Sequence, residues 1–172
     1  NYGTKTVLAS WLKRRKAAIN SVDDLDEFKN LFIITGDNNI VDIDLDCIES
    51  ITLAPFFLPE TNMKYGRESN PASHWLYKVI DLTKKHTRKF FSFEDPNINK
   101  ETLVELRAHD HYSMCAGKYA EDEYVEWTDY SSIKETTYDV LYKSVAMLAV
   151  ASIILRNYPT GDRNVYIWQV AG

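Results

Sequence analysis

Ile40-Val41-Asp42-Ile43-Asp44-Leu45-Asp46 alternates apolar and acidic residues without a break. Successive side chains of a β-strand point to opposite faces. Val41, Ile43 and Leu45 therefore enter a core, and Asp42, Asp44 and Asp46 line the other face. Carboxylates two residues apart on a rigid strand repel one another unless a cation lies between them. Two divalent ions about 4 Å apart, clamping a displacement at phosphorus, need such an array. The same alternation also describes an ordinary half-buried strand with an acidic solvent face, so the choice rests on the rest of the chain.

Reading outward, 31–35 is a strand and Gly36-Asp37-Asn38-Asn39 has the composition of a tight turn. Residues 31–46 thus read as a β-hairpin. Upstream, Val7, Leu8, Trp11, Leu12 and Ile19 place an amphipathic helix over 5–19. Ser21 caps a second short helix, with Asp23, Asp24 and Asp26 in its first turn. Downstream, 47–53 reads as a short helix stopped by Pro55. Strands are expected at 73–79, 89–93, 102–107 and 124–127. Val140, Leu141, Val145, Leu148, Ala149, Ser152 and Ile153 recur at helical steps, predicting a long helix over 132–158 ended by Pro159-Thr160-Gly161, with 145–155 buried. A last apolar segment covers 165–170. The mixture predicts one α+β domain spanning 1–172, with a largely antiparallel central sheet and flanking helices.

The 172 residues are 45% hydrophobic and 26% charged, enough for one proper core. No uninterrupted apolar run reaches the roughly 18 residues of a membrane span, and none of the expectations involves a membrane. A net charge of −5 argues against binding nucleic acid by a broad cationic surface alone. Local basic clusters do occur, at Lys13-Arg14-Arg15-Lys16 and at Lys84, Lys85, His86, Arg88 and Lys89. Cys47 and Cys115 read as free thiols of a reducing cytoplasm. The chain begins at Asn1 rather than Met, as a fragment of a longer protein would.

Three further clusters can carry chemistry. Arg67, Ser73 and His74 offer a guanidinium fork, a hydroxyl and an imidazole, a set suited to a triphosphate. Glu105 alternates with the apolar Val104 and Leu106, so it supplies a third acid from a second strand, and Arg107 shares its face. Hard divalent cations take such oxygen ligands. His109, Asp110 and His111 follow, but with Cys115 they match no structural zinc spacing. There is no phosphate-binding GxxxxGK[ST] loop, no GxGxxG and no Gly-x-Ser-x-Gly elbow.

The order of these clusters resembles the prim-pol family, the bifunctional DNA primase/polymerases of the archaeo-eukaryotic primase superfamily. The family's acidic hDhD strand is similar to Val41-Asp42-Ile43-Asp44. Its second motif resembles Gly66-Arg67-x-Ser69-x-Pro71-x-Ser73-His74-Trp75-Leu76-Tyr77, and its third resembles Leu103-Val104-Glu105-Leu106-Arg107. The connecting 53–61 and the C-terminal Tyr158-Pro159-x-Gly161-x-Arg163 add to the likeness, which covers roughly 31–165. The third acid here is glutamate, where the family usually has aspartate.

The resemblance implies an RRM-like primase catalytic core that forms phosphodiester bonds from nucleoside triphosphates on a single-stranded DNA template, with or without a primer. It implies that Asp42, Asp44 and Glu105 hold two Mg²⁺ or Mn²⁺ ions. Arg67, Ser73 and His74 would bind the triphosphate, with Arg107 and His111 in the same pocket. Tyr65, Tyr77 and Tyr112 are candidates to stack on a base, and Asp46 has no assigned role. Accessory domains outside this chain, a cytoplasmic location and a bacterial, archaeal or mobile-element setting (CRISPR-associated loci included) go with the family. Two other readings stand beside it. One is a metal-dependent phosphohydrolase or nuclease using the same acids. The other is a non-catalytic RRM-like module that binds nucleic acid through aromatics on its sheet.

Overall fold

The computed structural model describes residues 30–83, 90–95, 101–120 and 122–158. The expected helices at 5–19 and after Ser21, the segment at 165–170 and both basic clusters lie outside them.

Nine strands and two α-helices alternate along the described chain. They are β1 (Asn30–Ile34), β2 (Ile40–Leu45), α1 (Ile48–Phe57), β3 (Asn62–Arg67), β4 (Asn70–Val79), β5 (Phe90–Asp95), β6 (Glu101–Arg107), β7 (Tyr112–Ala120), β8 (Glu123–Ser132), β9 (Lys134–Thr136) and α2 (Tyr138–Arg156). The strands form one sheet in the order β1-β7-β8-β3-β4-β2-β6-β5, with β9 against β4. Among the described residues only the β4–β9 pairing is parallel. The protein is thus α+β with a curled, largely antiparallel sheet.

The acidic strand occupies the middle of this sheet, between β4 and β6. Its apolar residues face the helices. Val41, Ile43 and Leu45 join Trp75, Tyr77 and Val79 of β4 and Val104 and Leu106 of β6 in one core with Ala54, Leu141, Val145, Leu148 and Ala149. Each fully buried large aliphatic side chain there contributes about 1.5–3 kcal/mol. Thr137 caps α2 by accepting the Val140 amide at 3.4 Å, and Asp81 accepts the Tyr138 amide at 2.8 Å. Arg156, in the last turn of α2, grips Glu49 of α1 with two hydrogen bonds of 3.2 and 2.9 Å.

Several local expectations are corrected. The 31–46 segment is not a hairpin, because β1 pairs with β7 while β2 pairs with β4 and β6. A 3-10 turn at Asp37–Asn39, entered from Gly36 at φ 90° and ending in Asn39 at φ 62°, sends the two strands to different parts of the sheet. Helix α1 does not stop before Pro55 but runs through it to Phe57. In that last turn proline removes a single amide, and the Leu58 amide still closes on Ala54 at 2.8 Å. The C-terminal helix begins at Tyr138, since 134–136 pair with β4. Only one side of α2 is buried, at Leu141, Val145, Leu148, Ala149 and Ser152. Met147, Val150 and Ile154 are exposed.

By length and composition α2 is apolar enough to cross a membrane, although Asp139 and Lys143 interrupt its apolar run. Its buried stripe packs against β6 and α1, and its other side is exposed. Strands β3, β7 and β9 were not expected. Gly66 in β3 is required by close approach: a Cβ there would lie 2.3 Å from the Asn70 carbonyl and 2.7 Å from the Ala72 amide.

The sheet curls strongly. Three strands separate β7 from β2 in the sheet order, yet the Ser113 hydroxyl of β7 donates to Asp42 Oδ2 of β2. Strand β7 therefore stands over the acidic face, opposite the side that carries the helices.

Candidate functional site

Strand pairing assembles the acidic face. Asp44 lies directly across from His74 on β4 and from Glu105 on β6, and Asp42 lies across from Arg107 on β6. Antiparallel partners share a face, so one imidazole, three carboxylates and one guanidinium meet over three adjacent strands.

Asp42 forms the floor and is fully buried. His74 Nδ1 is 3.0 Å from its Oδ2, the same oxygen that accepts from Ser113. Arg107 Nη1 lies 3.8 Å from that oxygen and 3.3 Å from Ser113 Oγ. Asp42 Oδ1 is buried with no hydrogen-bond partner among the described residues. Burial alone would raise the Asp42 pKa, but His74, Arg107 and Ser113 outweigh it and hold the carboxyl below its ordinary value.

Asp44 sits above. His74 Nε2 is 3.6 Å from its Oδ1, and Arg107 Nη2 is paired to its Oδ2. Burial, with Asp42 and Glu105 adding to it, raises Asp44 despite these two cations. His74 bridges both aspartates. Burial would lower its pKa, but the two carboxylates raise it above the usual histidine value and favour the imidazolium. Tyr65, itself buried, stacks on the His74 ring at 4.6 Å and 7° and so fixes its plane.

The carboxylates that converge are Asp44, Asp46 and Glu105, with one oxygen of each within 4.8 Å of the others. Asp44 is buried, Glu105 half-buried and Asp46 exposed. The cluster thus opens to solvent at Asp46 and is closed below by Asp42. These three residues could hold a divalent cation, since three carboxylates suit a hard ion that keeps other positions for water or phosphate. The unpartnered oxygen of Asp42 underlines the excess of acceptors. Among the described residues, four carboxylates here lie near one guanidinium and one imidazole.

The other expected residues fall as follows. Asp42, Asp44, His74, Glu105 and Arg107 come together. Arg67 is engaged elsewhere: its Nε lies 2.9 Å from Ser69 Oγ and 3.3 Å from Glu123, and its guanidinium stands 4.1 Å above the Tyr119 ring. Ser73 is buried and, two residues before Trp75, shares the face opposite to His74. His111 is joined to Thr35 through its backbone, at the junction of β1 and β7. Of the tyrosines, Tyr65 supports His74. Tyr77 is buried in the core and donates to the Pro59 carbonyl at 2.6 Å. Tyr112 packs edge-on against Phe32. Both cysteines are free; burial raises the Cys47 thiol and pushes Cys115 up to about 11, so neither is poised as a nucleophile.

Ser113 escaped the sequence reading, and Asp46 was placed on the acidic face there without a role. Ser113 carries no local signal, because only the curl of the sheet brings it to Asp42. Asp46 did carry one: Ile43-Asp44-Leu45-Asp46 has the same hDhD form as Val41-Asp42-Ile43-Asp44. Alternation alone does not choose between the two frames.

No protein-family model matches the chain, and no curated protein matches it.

Proposed function

We propose that this chain is the catalytic core of a template-dependent nucleotidyltransferase, a DNA primase/polymerase of the prim-pol kind. The observation that carries the reading is the row His74–Asp44–Glu105 across three paired strands, with Asp46 at its solvent edge. It joins the acidic strand, the histidine of the second motif and the acid of the third at one place.

The donor set fits Mg²⁺ or Mn²⁺, with Asp44, Asp46 and Glu105 as ligands. Bound divalent ions lower the pKa of an attacking 3′-hydroxyl and offset charge on a triphosphate and its leaving pyrophosphate. The chain's own groups do the rest. Asp42 holds the His74 imidazole from below and Tyr65 holds its plane, so its Nε2, 3.6 Å from Asp44 Oδ1, sits at the edge of the carboxylate cluster where an anionic triphosphate would lie. Arg107 adds a second cation beside Glu105. The exposed side of Asp46 is the entry for nucleotide and for a single-stranded template with its primer end.

The deciding experiment is incorporation of labelled dNTPs and NTPs on a single-stranded template with Mg²⁺ or Mn²⁺, with and without a primer. It is run beside Asp44→Ala/Asp46→Ala protein. Products on an unprimed template, abolished in the double variant, are expected. Extension from a primer alone keeps the polymerase and assigns initiation to other domains. Phosphate or pyrophosphate release that ignores template replaces this reading with a phosphohydrolase. Metal-independent nucleic-acid binding without turnover replaces it with a binding module.

A further inference from the structure

Arg107 holds the oxygens that a divalent ion would take. Its Nη2 is paired to Asp44 Oδ2 and lies 2.6 Å from Glu105 Oε2, and its Nε lies 2.7 Å from the same Glu105 oxygen. Two of the three converging carboxylates are therefore bridged by one guanidinium nitrogen. An Mg²⁺ ion shared by the same groups lies about 2.0–2.1 Å from each oxygen. That position falls within the space of the nitrogen, and the two cations repel. Guanidinium and ion cannot both use Asp44 Oδ2 and Glu105 Oε2.

The guanidinium has a second set of partners close by. Its Nη1 is already 3.3 Å from Ser113 Oγ and 3.8 Å from Asp42 Oδ2. Asp42 also carries a buried oxygen with no hydrogen-bond partner among the described residues. A short movement towards the floor of the site would keep the guanidinium paired and free the upper two carboxylates.

We propose that Arg107 is a tethered counter-cation that alternates with the divalent ion on Asp44 and Glu105, moving down onto Asp42 and Ser113 when the ion binds. This rests on reading Asp44, Asp46 and Glu105 as a divalent-cation site. Arg107 is then a positioning residue. It keeps the acids from splaying apart, and it weakens binding of the ion by itself. An ion that arrives with a triphosphate brings extra ligands and displaces the arginine more readily. The site thus favours the ion–nucleotide complex over the bare ion.

The test is Mn²⁺ binding without nucleotide, read from the electron paramagnetic resonance signal of free Mn²⁺. Arg107→Gln keeps an amide donor and removes the charge. It should bind Mn²⁺ about tenfold tighter or more, since a unit positive charge within about 4 Å of the ion is gone. Arg107→Lys keeps the charge and should stay near wild type. Wild type that binds Mn²⁺, with Arg107→Gln equal or weaker, overturns the proposal and leaves the metal site standing. Wild type and Arg107→Gln that both leave Mn²⁺ free overturn the metal site, and the proposal with it.

Should Arg107→Gln not fold, Mg²⁺ titration of the wild type followed at the Arg107 Nε–H resonance, assigned by its loss in Arg107→Lys, gives the answer. A saturable shift of that resonance is expected. An unmoved resonance while Asp44 and Glu105 report binding overturns the proposal.

Discussion

Asp42 lies within β2 and Asp46 one residue past its end, and their surroundings give them opposite tasks. Asp42 is sealed beneath His74, Arg107 and Ser113, whereas Asp46 stands in solvent beside Asp44 and Glu105. Substitution should separate them. Asp42→Asn leaves two buried cations facing a neutral amide and should cost about 3 kcal/mol in a urea melt, as broken buried pairs do. Asp46→Asn should change stability by no more than about 0.5 kcal/mol, like other exposed substitutions. It should nevertheless weaken Mn²⁺ binding. Equal stability of the two variants would contradict the floor role of Asp42. Undiminished Mn²⁺ binding by Asp46→Asn would remove it from the ligand set.

Elements are where sequence and structure part company most usefully. Strands β2, β4 and β6 were legible because apolar and polar residues alternate through β2 and through parts of β4 and β6, and their acids, histidine and arginine were legible with them. The α+β class and the antiparallel sheet followed from the same patterns. The false hairpin at 31–46 shows the limit. Turn composition states that the chain reverses or bends, not which strand it will pair with. Strand β3 ends in Gly66-Arg67 and the apolar pattern of β7 breaks at Cys115-Ala116-Gly117, so neither announces itself, and only the curl of the sheet brings Ser113 to Asp42.

The joint between α1 and α2 carries its own prediction. Hydrogen bonding to Arg156 holds Glu49 below the ordinary glutamate value, against a smaller opposing effect of burial. A carboxylate depressed in the folded state adds stability above its unfolded pKa, about 4.3 for glutamate. That contribution disappears as pH falls through the folded value. Glu49→Gln should lose about 1 kcal/mol at neutral pH and flatten the acid limb of the stability–pH curve. A parallel curve displaced at every pH would show that the pair is not its source.

At the scale of the whole molecule, the sheet places a long-range closure over the site. The Ser113–Asp42 hydrogen bond joins residues 71 apart in sequence. The β3–β4 and β7–β8 ribbons, by contrast, join neighbours along the chain. Contacts between distant segments carry the larger loop-closure cost and form slowly. The expected order of folding is ribbons first, the β2–β4–β6 centre next, and the curl that brings β7 over the acids last. Ser113→Ala should therefore speed unfolding while leaving refolding within about twofold of wild type, as contacts made after the transition state do. Slowed refolding in stopped-flow fluorescence would place the curl earlier. A chain caught before that final closure has every strand paired and every acid on its strand, but lacks the hydroxyl that completes the floor beneath His74 and Arg107.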